Sequence, residues 1–290
     1  MATDRKVGKL LLILASQSNL SSFINFRKIL ILLMIQIKNL HKSFGEKSVL
    51  NGIDLAIPNG QTMCIIGKSG CGKSVLLKHI VRLLEPDSGN VLVDGNDISV
   101  LGRDDLFEMR RSIGYVFQGA ALFDSMTVFE NVVVGLFEHG EKDNSVLEAE
   151  ARRVLSAVGL VPDISESGTP SFEREYGILR NKKPSDLSGG MRKRVGVARA
   201  LVGSPTYVFY DEPTTGLDPV TSEQIDNLIA DLASKLKVTS LVITHDMFSV
   251  FKIANRVAML EFGKVRFEGT AEELQTTSDE SVKEFLERYM

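Results

Sequence analysis

An eight-residue glycine-rich stretch, residues 67–74, constrains what this chain can fold into more than any other feature of its sequence. The stretch fits the pattern G-x-x-x-x-G-K-[ST] and follows an apolar run at residues 63–66, which predicts a buried strand. Glycines let the backbone N–H groups of such a loop point inward at phosphate. The helix predicted over residues 75–84 turns the positive end of its dipole to the same place. The sequence therefore predicts a phosphate-binding loop between a strand and a helix.

The residues of this loop have different expected roles. Lys73 supplies a positive charge to the outer phosphates of a nucleotide, and the hydroxyl of Ser74 can bind Mg²⁺. Cys71 lies beside backbone N–H groups and Lys73, which predicts either a small tolerated residue or a thiol of lowered pKa. The residues expected to contact phosphate are Gly67, Lys68, Ser69, Gly70, Cys71, Gly72, Lys73 and Ser74.

The composition narrows the class of protein. The chain has 290 residues, of which 43% are hydrophobic and 24% are charged, so it can bury the core of one or two domains. Its formal net charge of −3 gives no overall basic field, and we expect no nucleic-acid partner. Its two cysteines, Cys64 and Cys71, lack zinc-type spacing, which excludes a disulfide scaffold and fits a reducing compartment.

A second site signal is a pair of carboxylates that ends an apolar run at residues 207–210. We expect Asp211 to hold Mg²⁺ through water and Glu212 to polarise the water that attacks a γ-phosphate. Two adjacent acids often only solvate a turn. Together with the phosphate-binding loop, however, they predict nucleotide hydrolysis.

A third signal is the sequence Leu-Ser-Gly-Gly-Met at residues 187–191, followed by a basic run that is compatible with a helix. Ser188, Gly189 and Gly190 would expose N–H groups at the helix start as a second anion site, although a capped surface helix is the alternative. This stretch resembles the LSGGQ signature of ATP-binding cassette (ABC) ATPases. The resemblance implies that two copies pair head to tail and that each ATP lies between the phosphate loop of one copy and the signature of the other.

The remaining ABC elements follow in order, and the resemblance implies a role for each. Gln118 matches the Q-loop residue that reaches Mg²⁺ and water, and Asp218 matches the D-loop. His245 matches the switch histidine, and Phe44 matches the aromatic residue that stacks on adenine. Any one of these residues taken alone would be better explained as a packing residue than by its ABC role. The resemblance covers the chain from about residue 35 to residue 290.

The order of predicted elements gives an α/β fold. We expect a P-loop ABC nucleotide-binding domain with a parallel-sheet core, an antiparallel β subdomain and an inserted helical subdomain. The antiparallel part is expected over residues 35–66 with a hairpin at 94–95, and the helical subdomain over about residues 119–200. Apolar periodicity predicts helices over residues 147–158 and 280–289. Residues 161–186 are polar and contain proline, which predicts a surface loop or, as the alternative, a partner contact.

The N-terminal segment, residues 1–33, is expected to be an extension outside a core that spans residues 34–290. Its apolar runs are shorter than the ~18 residues that a membrane-spanning helix needs. A translation start upstream of the true one is the favoured interpretation, because residues 34–40 predict a first strand. A secretory signal and a weak membrane-surface anchor are the alternatives.

The sequence around the motifs indicates the kind of ABC system. Residues 119–132 read GAALFDSMTVFENV and resemble the same region of Mla-type, MCE-associated phospholipid transport ATPases. The resemblance implies ATP and Mg²⁺ as cofactors, a membrane permease and an MCE lipid-binding protein as partners, and a place at the cytoplasmic face of the inner membrane. An importer of small polar solutes is the alternative, and a non-transport ABC ATPase of DNA repair or translation is a third.

The same segment carries apolar side chains that suit a permease helix. We expect at least half of them to pack inside the helical region instead. They are Leu122, Phe123, Met126, Val128 and Phe129.

Overall fold

The computed structural model describes residues 34–289, so the predictions for residues 1–33 lie outside the described part of the chain. The strands are β1 (Met34–Phe44), β2 (Lys47–Pro58), β3 (Thr62–Ile66), β4 (Ser88–Val93), β5 (Asn96–Asp97), β6 (Ile113–Val116), β7 (Tyr207–Asp211), β8 (Thr239–Ile243), β9 (Arg256–Glu261) and β10 (Lys264–Gly269). The helices are α1 (Lys73–Ile80), α2 (Arg103–Arg111), α3 (Val128–Glu138), α4 (Asn144–Ala157), α5 (Pro170–Arg180), α6 (Gly189–Leu201), α7 (Pro219–Leu236), α8 (Met247–Ile253), α9 (Ala271–Gln275) and α10 (Glu280–Tyr289).

A six-stranded sheet, in the order β10-β9-β3-β8-β7-β6, forms the centre of the molecule. Its members from β9 to β6 pair in parallel, and only β10 runs antiparallel, against β9. Every residue of β3 and β8 is buried, as expected for parallel strands covered on both faces. Because parallel strands end at one edge, the loops after β3, β6, β7 and β8 meet there.

A second, antiparallel sheet has the order β2-β1-β4-β5. Its β4–β5 hairpin turns at Asp94 and Gly95, whose φ angles are 50° and 79°, as a tight hairpin turn requires. The expectation that residues 35–66 form one antiparallel region is wrong for β3. The continuous apolar sequence of β3 suits a strand covered on both faces, and β3 pairs in parallel with β8 and β9 in the central sheet.

The side chains of β3 join two cores. Alternate residues of a strand point to opposite faces, so Cys64 and Ile66 pack into one cluster and Met63 and Ile65 into the other. The first cluster includes helices α3 to α6, and the second lies beneath the antiparallel sheet and α1. The terminal helix α10 docks on the first cluster through Val282, Phe285 and Leu286, which confirms the helix predicted over residues 280–289.

Residues 161–186 are not the surface loop that their polarity predicts. They contain α5, which begins at a Thr169 cap with Pro170 in its first turn. Phe172 and Tyr176, one helical turn apart, are 0% and 1% exposed. The Tyr176 hydroxyl donates a hydrogen bond of 2.6 Å to Glu148 of α4. The polar residues of this segment cover one face of a helix, and its aromatic residues fill the core.

The apolar segment after β6 divides as expected. Val128 is fully buried, and Leu122 and Phe129 pack against the first core cluster. Phe123 is half exposed. Among residues 34–289, none of the helices has the length and apolar character needed to cross a membrane.

Candidate nucleotide site

The phosphate-binding loop joins β3 to α1 and depends on its glycines. Gly67 has φ 143°, and a Cβ there would lie 2.3 Å from the carbonyl oxygen of Leu260. Gly72 has φ 106° and immediately precedes α1. The left-handed backbone at these two positions turns the loop around the start of α1, whose first N–H groups have no partner within the helix. The loop is therefore shaped as an anion cradle.

Lys73 lies over this loop. Its side chain is buried, and its Nζ donates hydrogen bonds to the carbonyl oxygens of Gly67 at 2.7 Å and Lys68 at 3.1 Å. No carboxylate pairs with this ammonium group among the described residues. Its charge is thus held at the cradle without a counter-charge from the protein, which fits a phosphate ligand.

The donors for a magnesium ion meet where β3 and β7 end. The Ser74 hydroxyl donates to Asp211 Oδ1 at 3.1 Å, and the Tyr115 hydroxyl lies 3.4 Å from Asp211 Oδ2. Burial raises the pKa of the Asp211 carboxyl. A hydroxyl and a carboxylate beside a phosphate cradle are the oxygen donors that Mg²⁺ uses with nucleotides, so these residues fit the ion.

Glu212 is the centre of a second group of side chains. Its Oε2 accepts hydrogen bonds from Thr215 at 2.8 Å and Gln118 at 3.2 Å, and its Oε1 lies 3.6 Å from His245 Nδ1. Glu212 has φ 49°, an uncommon backbone for a residue that is not glycine, and its N–H donates to Ile243. The loops after β6, β7 and β8 thus aim three predicted site residues at one place.

Lys193 supports this arrangement, although no motif pointed to it. Its Nζ donates to the backbone oxygen of Gln118 and lies 3.5 Å from that of Glu212. Burial lowers its pKa. The sequence signal was a lysine in the basic run after the signature, but its direction into the core depends on how α6 packs against the sheet.

The signature and the predicted D-loop lie side by side. Ser188 caps α6 by accepting a hydrogen bond from the Met191 N–H at 3.2 Å, and Asp218 caps α7 by accepting one from the Thr221 N–H at 3.0 Å. A Cβ at Gly190 would lie 2.8 Å from the Thr221 side chain. The N–H groups of Gly189 and Gly190 begin a helix and have no acceptor within it.

Two other predicted residues lie at the edge of the site. Phe44 ends β1 with 47% of its surface exposed, and the Lys42 ammonium lies over its ring, 5.6 Å from the ring centre. Burial raises the pKa of the Cys71 thiol, and Lys73 offsets this only in part. The alternative of a Cys71 thiol of lowered pKa is therefore wrong.

The structure thus connects Ser74 with Asp211, and Gln118 and His245 with Glu212, by direct contacts. None of these side chains contacts Phe44, Ser188 or Asp218. Phe44 lies beside Lys42, Ser188 accepts a hydrogen bond from the Met191 N–H, and Asp218 accepts one from the Thr221 N–H. The contacts that sequence reasoning missed come from Tyr115, Thr215 and Lys193. Tyr115 stands three residues before Gln118 and Thr215 three residues after Glu212, so only their nearness to motif residues could have indicated them.

Comparison with known proteins agrees with this geometry. The sequence model of the ABC transporter family matches residues 50–215. The protein MlaF of Haemophilus influenzae, named an intermembrane phospholipid transport system ATP-binding protein, is 36% identical over 87% of this chain and 90% of its own length. The protein mkl of Mycobacterium leprae, named a probable ribonucleotide transport ATP-binding protein, is 36% identical over 87% of this chain and 68% of its own length.

Solved structures share the fold. The ATP-binding cassette MJ0796, described as a dimer in a post-hydrolysis state bound to ADP and Pi, has a TM-score of 0.70 at 32% identity, over 82% of this chain and 99% of its own. Clostridium perfringens cbiO1, part of the ABC transporter complex cbiONQ, has a TM-score of 0.72 at 27% identity, over 88% of this chain and 95% of its own. The family match, the relatives and the shared fold show that this chain belongs to the ABC transporter family as an ATP-binding cassette that hydrolyses ATP.

Proposed function

We propose that this chain energises phospholipid transport between the inner membrane and the cell envelope. The observation that carries the cargo assignment is the similarity to MlaF, which extends over 90% of that relative's length. The GAALFDSMTVFENV wording after Gln118 supports the same subfamily. The partners in this proposal are an integral membrane permease and an MCE-type lipid-binding protein, and the chain is peripheral at the cytoplasmic face through the permease.

A second candidate function is transport of a small polar solute. The relative mkl is named for ribonucleotide transport and is as similar to this chain as MlaF is. The match covers 68% of the length of mkl, however, against 90% of the length of MlaF. We therefore place the solute reading second.

In the proposed hydrolysis, Lys73 and the N–H groups of the loop bind the β- and γ-phosphates of ATP. Ser74, Asp211 and Gln118 would hold Mg²⁺, which would neutralise charge that develops on the phosphates. Glu212 accepts a proton from the attacking water, and its contacts to Thr215 and Gln118 orient the carboxylate. His245, beside Glu212, binds the γ-phosphate side of the site.

A second copy completes each site in this proposal. The free N–H groups at the start of α6 and the exposed face of Phe44 would lie on opposite sides of one ATP, contributed by different copies. The dimeric cassette MJ0796 supports this assembly. Closure around ATP and opening after hydrolysis would transmit force to the permease.

The test is capture of the tagged protein from native membranes in mild detergent, with mass spectrometry of the co-purified proteins and of the extracted lipid. We expect a permease, an MCE-domain protein and phospholipid enriched over a mock purification. As a matched control, the Lys73→Ala protein should bring down the same permease, because assembly does not need ATP. Recovery of a soluble solute-binding protein without enriched lipid would contradict the lipid assignment and favour the second candidate.

A further inference from the structure

A buried carboxyl group lies behind the loop that carries His245. Asp226, in the second turn of α7, is only 4% exposed, and its Oδ1 has no hydrogen-bond partner among residues 34–289. Its Oδ2 lies 2.8 Å from the hydroxyl of Ser249, which is 1% exposed. The pair connects α7, which begins at Asp218, to α8, which begins two residues after His245.

The Ser249 hydroxyl contacts a second carboxyl group as well. Its Oγ lies 3.2 Å from Asp246 Oδ2, and Asp246 is the residue directly after His245. Asp246 also caps α8, where its Oδ1 accepts hydrogen bonds from the N–H groups of Phe248 at 2.9 Å and Ser249 at 3.4 Å. Asp226, Ser249 and Asp246 thus form a continuous chain of hydrogen bonds that ends beside His245.

The number of hydrogens available in these contacts determines the charge of Asp226. One serine hydroxyl carries one hydrogen and can donate to only one of the two carboxyl groups. Asp246 accepts N–H groups at a helix start, where a negative charge is stabilised, so the serine hydrogen belongs on Asp246. The contact between Asp226 and Ser249 then needs a hydrogen on Asp226. A neutral Asp226 also leaves a carbonyl oxygen rather than a buried anion without a partner at Oδ1.

We propose that Asp226 is a positioning residue for ATP hydrolysis, whose protonated carboxyl donates to Ser249 and, through Asp246, sets the loop that carries His245. Loss of the proton brings a second negative charge next to Asp246 and leaves the serine contact without a hydrogen. The loop then loses its connection to α7. The proposal rests on the role that the proposed function gives to His245.

The surroundings of Asp226 favour the neutral form. Burial raises its pKa from 3.8 to about 6, the hydrogen bond with Ser249 offsets this in part, and the negative charges of Asp246 and Glu223 raise the pKa further. Lys252 of α8 acts in the opposite direction, but it is paired with Glu223 at 2.8 Å. From β3, the buried Cys64 thiol faces Asp226 and is uncharged because burial raises its pKa. His245 and Asp226 also line one cavity of about 750 Å³.

The decisive variant is Asp226→Asn, whose amide donates to Ser249 at every pH. About 1% of a carboxyl group stays protonated two pH units above its pKa, so the wild-type protein loses the chain by pH 8. We expect the ratio of kcat for Asp226→Asn to kcat for wild type to rise several-fold between pH 6 and pH 8, with KM for ATP unchanged. Asp226→Leu, which cannot donate, should have a kcat about tenfold below that of Asp226→Asn at both pH values, since the loop is misplaced. A ratio that stays constant would overturn the proposal.

Thermal unfolding tests whether Asp226 is protonated in the folded protein, without reference to activity. A carboxyl group whose pKa is raised in the folded state stabilises the protein less as pH rises from the unfolded pKa through the folded pKa. The unfolding midpoint of Asp226→Asn should therefore exceed that of wild type by more at pH 8 than at pH 5. An equal difference at both pH values would contradict a buried neutral Asp226.

Two further variants separate this proposal from the proposed function. Ser249→Ala removes the bridge, so adding Asp226→Asn to it should produce no further change in the pH profile of kcat. His245→Ala should abolish most hydrolysis. Loss of activity in His245→Ala together with a constant Asp226→Asn ratio would overturn the Asp226 proposal alone. Wild-type activity in His245→Ala would overturn the proposed role of His245. It would also overturn the proposal that Asp226 acts on hydrolysis by positioning His245.

Discussion

At the scale of single residues, the arrangement around Glu212 decides what the site can do. Three neutral or titratable side chains contact its carboxylate from three different loops, and none of them is a lysine or arginine. Hydrogen bonds from several directions fix where the carboxylate points, which places it to act on a water that approaches it. This geometry is the physical basis for treating Glu212 as the general base.

Glu212→Gln should lower the hydrolysis rate by about 10²–10⁴-fold, because the amide cannot accept the proton of the attacking water. ATP binding should persist, since the contacts from Thr215 and Gln118 can be kept by the amide oxygen. Single-turnover hydrolysis and equilibrium ATP binding measure the two effects separately. The exposed Glu284→Gln serves as a control for loss of a negative charge. A Glu212→Gln protein with wild-type turnover would exclude the base role.

His79 predicts a pH dependence of stability. The side chain is 1% exposed; its Nδ1 lies 2.7 Å from the Val75 carbonyl oxygen, and its Nε2 has no partner among the described residues. Burial lowers the pKa of His79, so the folded state keeps the ring neutral. The unfolded state binds more protons as pH falls through the ordinary histidine range, and stability is lost in that direction.

Urea unfolding at pH 7.5 and at pH 5.5 measures this effect. We expect the free energy of unfolding to fall toward pH 5.5, and His79→Gln to weaken that dependence because glutamine does not titrate there. His41 of β1, which is only half-buried, provides the matched substitution His41→Gln, which should keep the wild-type slope. An unchanged slope in His79→Gln would show that other groups cause the acid sensitivity.

At the scale of elements, the sequence predicts the motif residues that lie at the ends of strands. It does not predict the side-chain contacts between neighbouring strands and helices. The loops after β3, β6, β7 and β8 meet because parallel strands end at one edge, so Ser74, Gln118, Asp211 and His245 could be grouped from sequence order. The Tyr115 contact to Asp211 depends on β6 lying beside β7, which no local pattern states. The prediction of a surface loop over residues 161–186 was wrong for a similar reason. Phe172 and Tyr176 are apolar positions among charged neighbours, and their spacing identifies a core-facing helix only once α4 is present to cover them.

The helix α5 should therefore contribute to stability rather than act as a dispensable loop. Phe172→Ala is expected to lower the free energy of unfolding by about 3–5 kcal/mol, because it removes a fully buried ring and leaves a cavity. Ile178→Ala, on the same helix but 58% exposed, should change it by less than about 0.5 kcal/mol. Denaturant unfolding of both variants measures the difference. Equal, small effects would show that α5 is loosely attached.

At the scale of the whole molecule, the signature and the phosphate cradle lie apart within one copy. The cradle, Glu212 and His245 meet at the edge of the central sheet, whereas Ser188 and the glycines after it begin α6 beside Thr221. Neither Ser188 nor Asp218 contacts the cradle side chains within the copy. A second copy related by twofold symmetry can bring its signature to this cradle and receive the reciprocal contact.

Mixing two inactive variants measures this directly. Lys73→Ala removes the cradle charge, and Gly190→Asp adds a negative charge and a side chain at the start of α6, so each protein alone should have almost no ATPase activity. Mixed in equal amounts, they should regain about a quarter of the wild-type rate, because half of the randomly paired dimers are mixed and each of these has one intact site. If the mixture stays as inactive as either variant while size measurements show mixed dimers, each copy hydrolyses ATP with its own signature, and the composite site is wrong.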